Sequence, residues 1–464
     1  MKFIKTSALI LALTLILSAC GTTDNKETSE PESITSEITT TAPEETPLSD
    51  EVEIVLSDEL ITVNGKTAGT DKENAVYTAK DIVYYEDGKD FTYGEGNEND
   101  AHTAEEADRH TVVHIAKPGT YFVSGKLSYG QIAVDLGEEA KDDPKAVVTL
   151  ILDGIDITCE VAPAVIFYNV YECGNTDTEK ATKDVDTSKA GANVIIADGT
   201  ANKVNGSYVE RIYEPDSVVL NADGTEVEDA KKLHKYDAAF YSKMSMNLNS
   251  GEKGTGILDI TAENEGLDSE LHLTVNGGNI NILSGNDGIN TNEDGVSVTT
   301  VNDGTVKIKV TGETGEGDGI DSNGWLVING GTVIAEACST SADAGIDSDM
   351  GIHINGGTVI ASGSMLDRIE DGGQTYVSFN LPQKQNEKIR LFVKDEQGNT
   401  VKEFDTENAF SVLLFSSPDL NKDATYSLYN TDGLLTEQGS GMGPGGMGPG
   451  SMGPGGMGPG GMRP

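Results

Sequence analysis

Between Asp237 and Gly363 two short motifs recur in step. The first reads Gly266-Leu267-Asp268-Ser269, Gly288-Ile289-Asn290-Thr291, Gly319-Ile320-Asp321-Ser322 and Gly345-Ile346-Asp347-Ser348. The second reads Asn276-Gly277-Gly278, Asn302-Asp303-Gly304, Asn329-Gly330-Gly331 and Asn355-Gly356-Gly357, with asparagines 26, 27 and 26 residues apart. A unit of this length cannot bury its apolar face alone and must stack on its neighbours. Each period holds three short β segments with alternating apolar residues. Leu267, Ile289, Ile320 and Ile346 face inward in the first segment, Leu326 with Ile328 in the second, and Val333 with Ala335 in the third. Three strands per coil, period two within each and polar corners between them predict an all-β chain. The expected fold is a right-handed parallel β-helix. The Gly, Thr and Val content of every unit excludes a helical solenoid. Asn276, Asn302, Asn329 and Asn355 are expected to stack as a side-chain ladder, each amide bonding the next.

The regions outside the repeat set the domain boundaries. Val147–Thr158 and the segments after it read as irregular earlier coils, with Ala239-Phe240-Tyr241-Ser242 in the place of the later Gly-Ile-Asp-Ser. Thr111–Asp135 is expected to cap the stack. Tyr171–Gly191 and Ser207–Tyr236 read as polar loops. The stacked domain is placed at 76–370, and a small antiparallel β unit at 371–435 closes its far end. Lys2 and Lys5, an apolar run from Ser7 to Leu17, and Leu17-Ser18-Ala19-Cys20-Gly21 resemble a lipoprotein signal, with 1–20 removed and Cys20 acylated. Two acyl chains suffice to hold a protein on a membrane. Residues 21–75 are expected to be a disordered tether, because Thr, Ser, Glu and Pro dominate its first half. The Gly/Met/Pro-rich 436–464 reads as a second disordered tail. The protein is therefore expected on the outer face of the cytoplasmic membrane.

The formal net charge is −45, from 77 acidic and 32 basic residues. Such a balance argues against a nucleic-acid partner. It fits an exported surface bathed in divalent cations. Coil stacking sharpens that point, because equivalent residues then lie about 4.8 Å apart. One column holds Glu265, Asp287 and Asp318 with Asp343 close by, and another holds Asp268, Asn290, Asp321 and Asp347. Like charges at that spacing repel by about 3 kcal/mol at an effective dielectric of 20. A bound Ca²⁺ would remove the repulsion, so Glu265, Asp268, Asp287, Asp318, Asp321, Asp343 and Asp347 are the candidate ligands. A solvated acidic ridge is the alternative. After Cys20, three cysteines remain: Cys159 and Cys173 could bridge a loop or stay free, and Cys338 is left over.

Several stretches together resemble the clostridial carbohydrate-binding β-helix lipoproteins. They are the lipobox, Lys117–Gly125, Leu152–Thr158, Ala238–Lys243, the Gly-Ile-Asp-Ser repeats, and Phe415–Leu420. The resemblance covers Thr111 to Asn430 in order. It implies a pectate-lyase-like fold, calcium in the stack, and cellulose or an acidic plant polysaccharide such as polygalacturonate as partner. Met244-Ser245-Met246 and the long Ser207–Tyr236 insertion depart from the family pattern. The expected function is surface binding of polysaccharide without catalysis. Tyr241 and Trp325 would offer rings to a sugar face, and Lys243 a charge. A calcium-dependent polysaccharide lyase with Lys243 as base, and a rigid surface adhesin with no sugar specificity, are the competing classes.

Overall fold

The computed structural model describes residues 51–438. The signal segment, Cys20 and the tail beyond residue 438 lie outside the described residues. Strands dominate, and the one α-helix among the described residues is Ala104–Arg109, opened by a Thr103/Glu106 capping box.

Three ladders of parallel strands run through the repeat region. In the first, Val165–Asn169, Ala238–Ser242, Glu265–Ser269 and Ile289–Thr291 pair in sequence. Single bridges from Ile289 to Ile320 and from Ile320 to Ile346 extend it. The second joins Ala192–Ile196, Met246–Ser250, His272–Val275, Val298–Val301, Trp325–Ile328 and Gly351–Ile354. The third joins Ala201–Gly206, Ile257–Ala262, Asn279–Ser284, Thr305–Val310, Thr332–Glu336 and Thr358–Gly363. Each circuit of the chain thus returns to a strand bonded in parallel with its counterpart one period earlier. Gly119–Leu127 and Val148–Cys159 each serve two ladders. They turn the corner at Gly125 and Gly154, both at positive φ. A Cβ on Gly125 would lie 2.3 Å from the Leu56 carbonyl oxygen.

The inward columns predicted from the repeat form one continuous core. Leu267, Ile289, Ile320, Ile346, Leu326, Ile328, Val333 and Ala335 are all fully buried in it. At the asparagine corner the amides bond rung to rung: Asn276 to Asn249 at 3.0 Å, Asn302 to Asn276 at 2.8 Å, Asn329 to Asn302 at 2.9 Å, and Asn355 to Asn329 at 2.8 Å. Asn249 adds a rung that lies outside the Asn-Gly-Gly pattern.

The boundaries move in four places. Val52–Leu56, assigned above to the disordered tether, pairs in parallel with Tyr121–Gly125 and buries Ile54 and Leu56. Thr111–Ile115 and Gly130–Asp135 are not a cap but stacked parallel coils, and the antiparallel strand is the preceding Val76–Ala79. Ser207–Tyr236 is not a loop but an arm of two antiparallel strand pairs, Val209–Tyr213 with Lys232–Tyr236 and Val219–Leu220 with Val227–Asp229. At the far end Val412–Ser416 pairs antiparallel with Thr358–Gly363 and closes the stack. Ile389–Lys394, Thr400–Thr406, Ser427–Asn430 and Gly433–Glu437 form the antiparallel unit around a second core, two residues past the expected limit. Cys159, Cys173 and Cys338 are free thiols.

Candidate functional site

The first ladder carries the acidic columns. Its register aligns Ala238, Glu265 and Asp287, then Asp318 and Ala344. It also aligns Tyr241, Asp268 and Asn290, then Asp321 and Asp347. An ideal strand would turn positions three apart to opposite faces. The chain instead bends at Gly288, Gly319 and Gly345, which breaks the alternation between the two columns. No side chain fits at these bends: a Cβ would meet Ile308 Cγ2 at 2.1 Å, the Gly345 carbonyl oxygen at 2.3 Å, or the Ser362 nitrogen at 2.5 Å, respectively.

Two carboxylate clusters result. In the first, oxygens of Asp237, Glu265 and Asp268 lie within 4.8 Å of one another, and all three residues are buried. Lys235 Nζ sits 2.7 Å from Asp237 Oδ2. Asn290 donates to Glu265 Oε1 at 3.0 Å, and Asn292 donates to both oxygens of Asp268. Glu265 Oε2 and Asn290 Oδ1 are buried without a hydrogen-bond partner. Burial first, and neighbouring carboxylates second, push Glu265 and Asp268 well above the usual carboxylate range. Burial works against the Lys235 ammonium, yet the adjoining Asp237 outweighs it and raises the lysine pKa.

The second cluster brings Asp318, Asp321 and Asp347 within the same distance, half-buried. None of the three forms an ion pair with a basic side chain among the described residues. Burial, and then Asp287, Asp347 and Asp321, push Asp318 up to about 8. Burial with Asp349 and Asp367 takes Asp321 to about 6, and burial with Asp367 and Asp321 takes Asp347 to about 6. Asp367 Oδ2, within electrostatic reach of this cluster, is buried and unbonded. Asp287 links the clusters by accepting from the Asp318 backbone N–H at 2.6 Å. Asp343 stands one residue off the column, where Ala344 aligns. Its carboxylate accepts from Gly317 N–H at 2.8 Å and from the Ser341 hydroxyl, so it joins neither cluster. Oxygen-only donors, raised pKa values and an orphaned carboxylate oxygen fit a hard divalent cation in the second cluster. The first cluster has a similar donor set but already contains an ammonium group.

The candidate sugar contacts do not converge. Tyr241 is 1% exposed, packed on Tyr236 with its hydroxyl donating to Glu270, so its ring is closed to a sugar face. Lys243 is exposed and lines an open groove of about 500 Å³ with Lys141, Lys232, Glu172 and Glu270. Trp325 is partly exposed on the second ladder, in the column of His272 and Val298. That column starts beside Ser245, so Trp325 lies three coils, or about 14 Å, along the stack from Lys243. A second groove of about 420 Å³ runs between the 183–188 loop and Asn247, Thr274, Thr300 and Asn302. Lys235 and Asp237 escaped sequence reasoning. Asp237 has the same offset from its column as Asp343, which was a usable signal; nothing local marked Lys235 as the partner of a distant cluster.

Residues 109–190 and 184–378 match the family described as carbohydrate-binding domain-containing protein. A curated protein of that description from Acetivibrio thermocellus is 29% identical over 191 residues, 40% of this chain. The chain spans about half, 51%, of that relative's length. A solved structure described as a polysaccharide lyase-like protein from C. thermocellum, in a gadolinium derivative, is 18% identical with a TM-score of 0.38. That match covers 67% of this chain and 90% of the other. The family match extends over more than half of the 464 residues, and the chain belongs to the carbohydrate-binding domain-containing protein family.

Proposed function

We propose that this protein holds polysaccharide at a cell surface without cleaving it. Cellulose and acidic plant polysaccharides such as polygalacturonate are the proposed partners. The stack of parallel coils is read as a right-handed β-helix, anchored through acylated Cys20. The observation that carries the reading is the pair of open polar grooves, about 500 and 420 Å³, on a chain of a carbohydrate-binding family. Both volumes lie in the range of ligand sites, and both linings are rich in groups that exchange hydrogen bonds with sugar hydroxyls. Calcium is proposed at Asp318, Asp321 and Asp347, where it would supply the positive charge that three converging carboxylates lack.

Retention on insoluble cellulose and on immobilised polygalacturonate, with and without chelator, tests this reading. Retention on either polymer is expected. Retention on neither would favour a rigid adhesin. Release of an unsaturated product from polygalacturonate with Ca²⁺, followed by ultraviolet absorbance, would instead establish a lyase.

A further inference from the structure

Part of the second ladder's outward face is covered. Leu273 and Val275 belong to the core, so their neighbours His272 and Thr274 point outward. The register places Thr274 in a column with Asn247, Thr300 and Val327, and His272 in a column with Val298 and Trp325. Thr300 and Trp325 are partly exposed, yet Asn247, His272 and Thr274 are only 4%, 4% and 6% exposed. The cover is a strap, residues 172–188, from the polar segment Tyr171–Gly191.

Two anchors hold the strap down. At one end Glu172 accepts from the N–H and the hydroxyl of Ser245 at 2.6 and 2.7 Å. At the other the Thr187 hydroxyl donates to Asn247 Oδ1 and lies beside the Thr274 hydroxyl, both at 2.7 Å. The Thr187 carbonyl accepts from Asn247 Nδ2 at 2.8 Å. Between the anchors, among the described residues, 175–186 form hydrogen bonds only within the strap, as Asp177 does with Asn175 and Asp184 with Thr182. A segment bonded at its ends and not along its length can lift without unfolding the coils beneath it.

Two spaces meet at the strap. One is the 420 Å³ groove, and the other is a smaller cavity of about 140 Å³ lined by strap residues with His272 and Val296. Val185 and Asp186 line both and part them. His272 turns an unused donor toward the cavity. Burial pushes its imidazole down to about 4, so the ring is neutral at ordinary pH. Its Nδ1 accepts from Val298 N–H at 3.2 Å, which leaves the proton on Nε2. That N–H has no partner among the described residues. Gly174 lets the strap close on the ring, since a Cβ there would lie 2.8 Å from His272 Nε2.

We propose that the strap is a lid on the second ladder. Thr187 lets go, 175–186 lift, and the groove runs on over Asn247 and Thr274 to His272, whose Nε2–H then meets an acceptor of the bound chain. The inference rests on the reading of the protein as a polysaccharide binder, and it adds how the 420 Å³ groove is opened and closed.

Carbethoxylation of His272 in the full chain, read by peptide mass mapping, measures the opening, because the lowered strap shields the ring. Thr187→Val keeps the shape and removes the hydroxyl. In that variant His272 reacts roughly fivefold faster or more, the equivalent of about 1 kcal/mol of lost bonding, at an unchanged unfolding temperature. Thr187→Ser keeps the hydroxyl and reacts like the parent. Calorimetric titration with cellohexaose and with a galacturonic acid hexasaccharide gives the second readout. A larger open fraction tightens binding of whichever oligosaccharide the parent takes, by the factor seen in the reaction rate. Saturation with that oligosaccharide then protects His272. Equal rates in the parent and Thr187→Val overturn the lid. Faster reaction without tighter binding, or a His272 left unprotected at saturation, overturns its control of the groove. If the parent binds neither oligosaccharide, the polysaccharide reading itself fails, while the reaction rates still decide whether the strap opens.

Discussion

Two columns of side chains climb the same coils and meet opposite fates. At one corner, Asn249, Asn276, Asn302, Asn329 and Asn355 stack in the open and satisfy one another. An amide carries donor and acceptor together, so each rung gives to the one before it and accepts from the one after. On the first ladder, Glu265, Asp287 and Asp318 stack with Asp268, Asp321 and Asp347 beside them. Ionised carboxylates only accept, so stacking multiplies charge without supplying a donor. An amide column is complete in itself, while an acid column must recruit a cation or protons. The acid columns do so in two ways. The first cluster takes an ammonium from the inserted arm, Lys235 on Asp237, and amide donors from Asn290 and Asn292. The second has no basic partner among the described residues, which leaves its charge to protons or to the calcium proposed above.

The sharpest way to break this comparison is to remove the internal cation. Lys235→Met leaves the buried Asp237 carboxyl beside Glu265 and Asp268 without its half-exposed ammonium partner, and stranding a buried acceptor in this way costs up to about 3 kcal/mol. Urea unfolding in chelator should show that loss, and Lys235→Met with Asp237→Asn should recover most of it. An unchanged midpoint for the single variant would mean that the first cluster does not depend on lysine. Next in size is the second cluster. Calcium at a hundred times its dissociation constant should stabilise the protein by about 2.7 kcal/mol, and Asp318→Asn with Asp347→Asn should abolish the gain. Thermal melts with and without calcium read this directly, and a gain that survives both substitutions would place the ion elsewhere.

Protons act on the same cluster. Asp318 is raised to about 8, and Asp321 and Asp347 to about 6, chiefly by burial. Groups whose folded pKa exceeds the unfolded value near 4 stabilise the fold most below that value. Their contribution is lost as pH rises through 6 and then 8. In chelator the protein should therefore melt at a lower temperature at pH 8 than at pH 5. Calcium should narrow the gap, because it binds the ionised cluster that forms at high pH. Melts that do not change between the two pH values would remove the cluster from the stability of the fold.

Periodicity made much of this legible. Any residue whose role repeats with the coil could be read from spacing: the inward Leu267, Ile289, Ile320 and Ile346, the asparagine rungs, and the acids one coil apart. What does not repeat stayed hidden. Val52–Leu56 joins the stack through a parallel partner, Tyr121–Gly125, far along the chain, and a short polar-flanked strand carries no local sign of that partner. The Val209–Tyr236 arm lacks the repeat motif and so looked like a loop, and with it Lys235 was overlooked. Tyr241 occupies an outward register position and would have been exposed on a bare coil. The arm's Tyr236 covers it. The fold was thus readable to the extent that it is a repeat, and the candidate site only in its acidic half.

The smallest test exchanges the two chemistries at one rung. Asn302 is exposed, donates to Asn276 and accepts from Asn329. Asn302→Ala removes both bonds and should cost about 1 kcal/mol, because solvent can replace them. Asn302→Asp keeps the shape and the acceptor for Asn329 but turns an ionised oxygen toward the acceptor Oδ1 of Asn276. At neutral pH its cost should match or exceed that of the alanine variant. Once protonated, the introduced carboxyl can donate again. Its folded pKa is therefore raised, so its deficit should shrink as pH falls from neutral toward about 4 and stay small below it, whereas the deficit of the alanine variant should not change. Parallel deficits for the two variants across that range would mean that donor capacity is not what separates the amide column from the acid one.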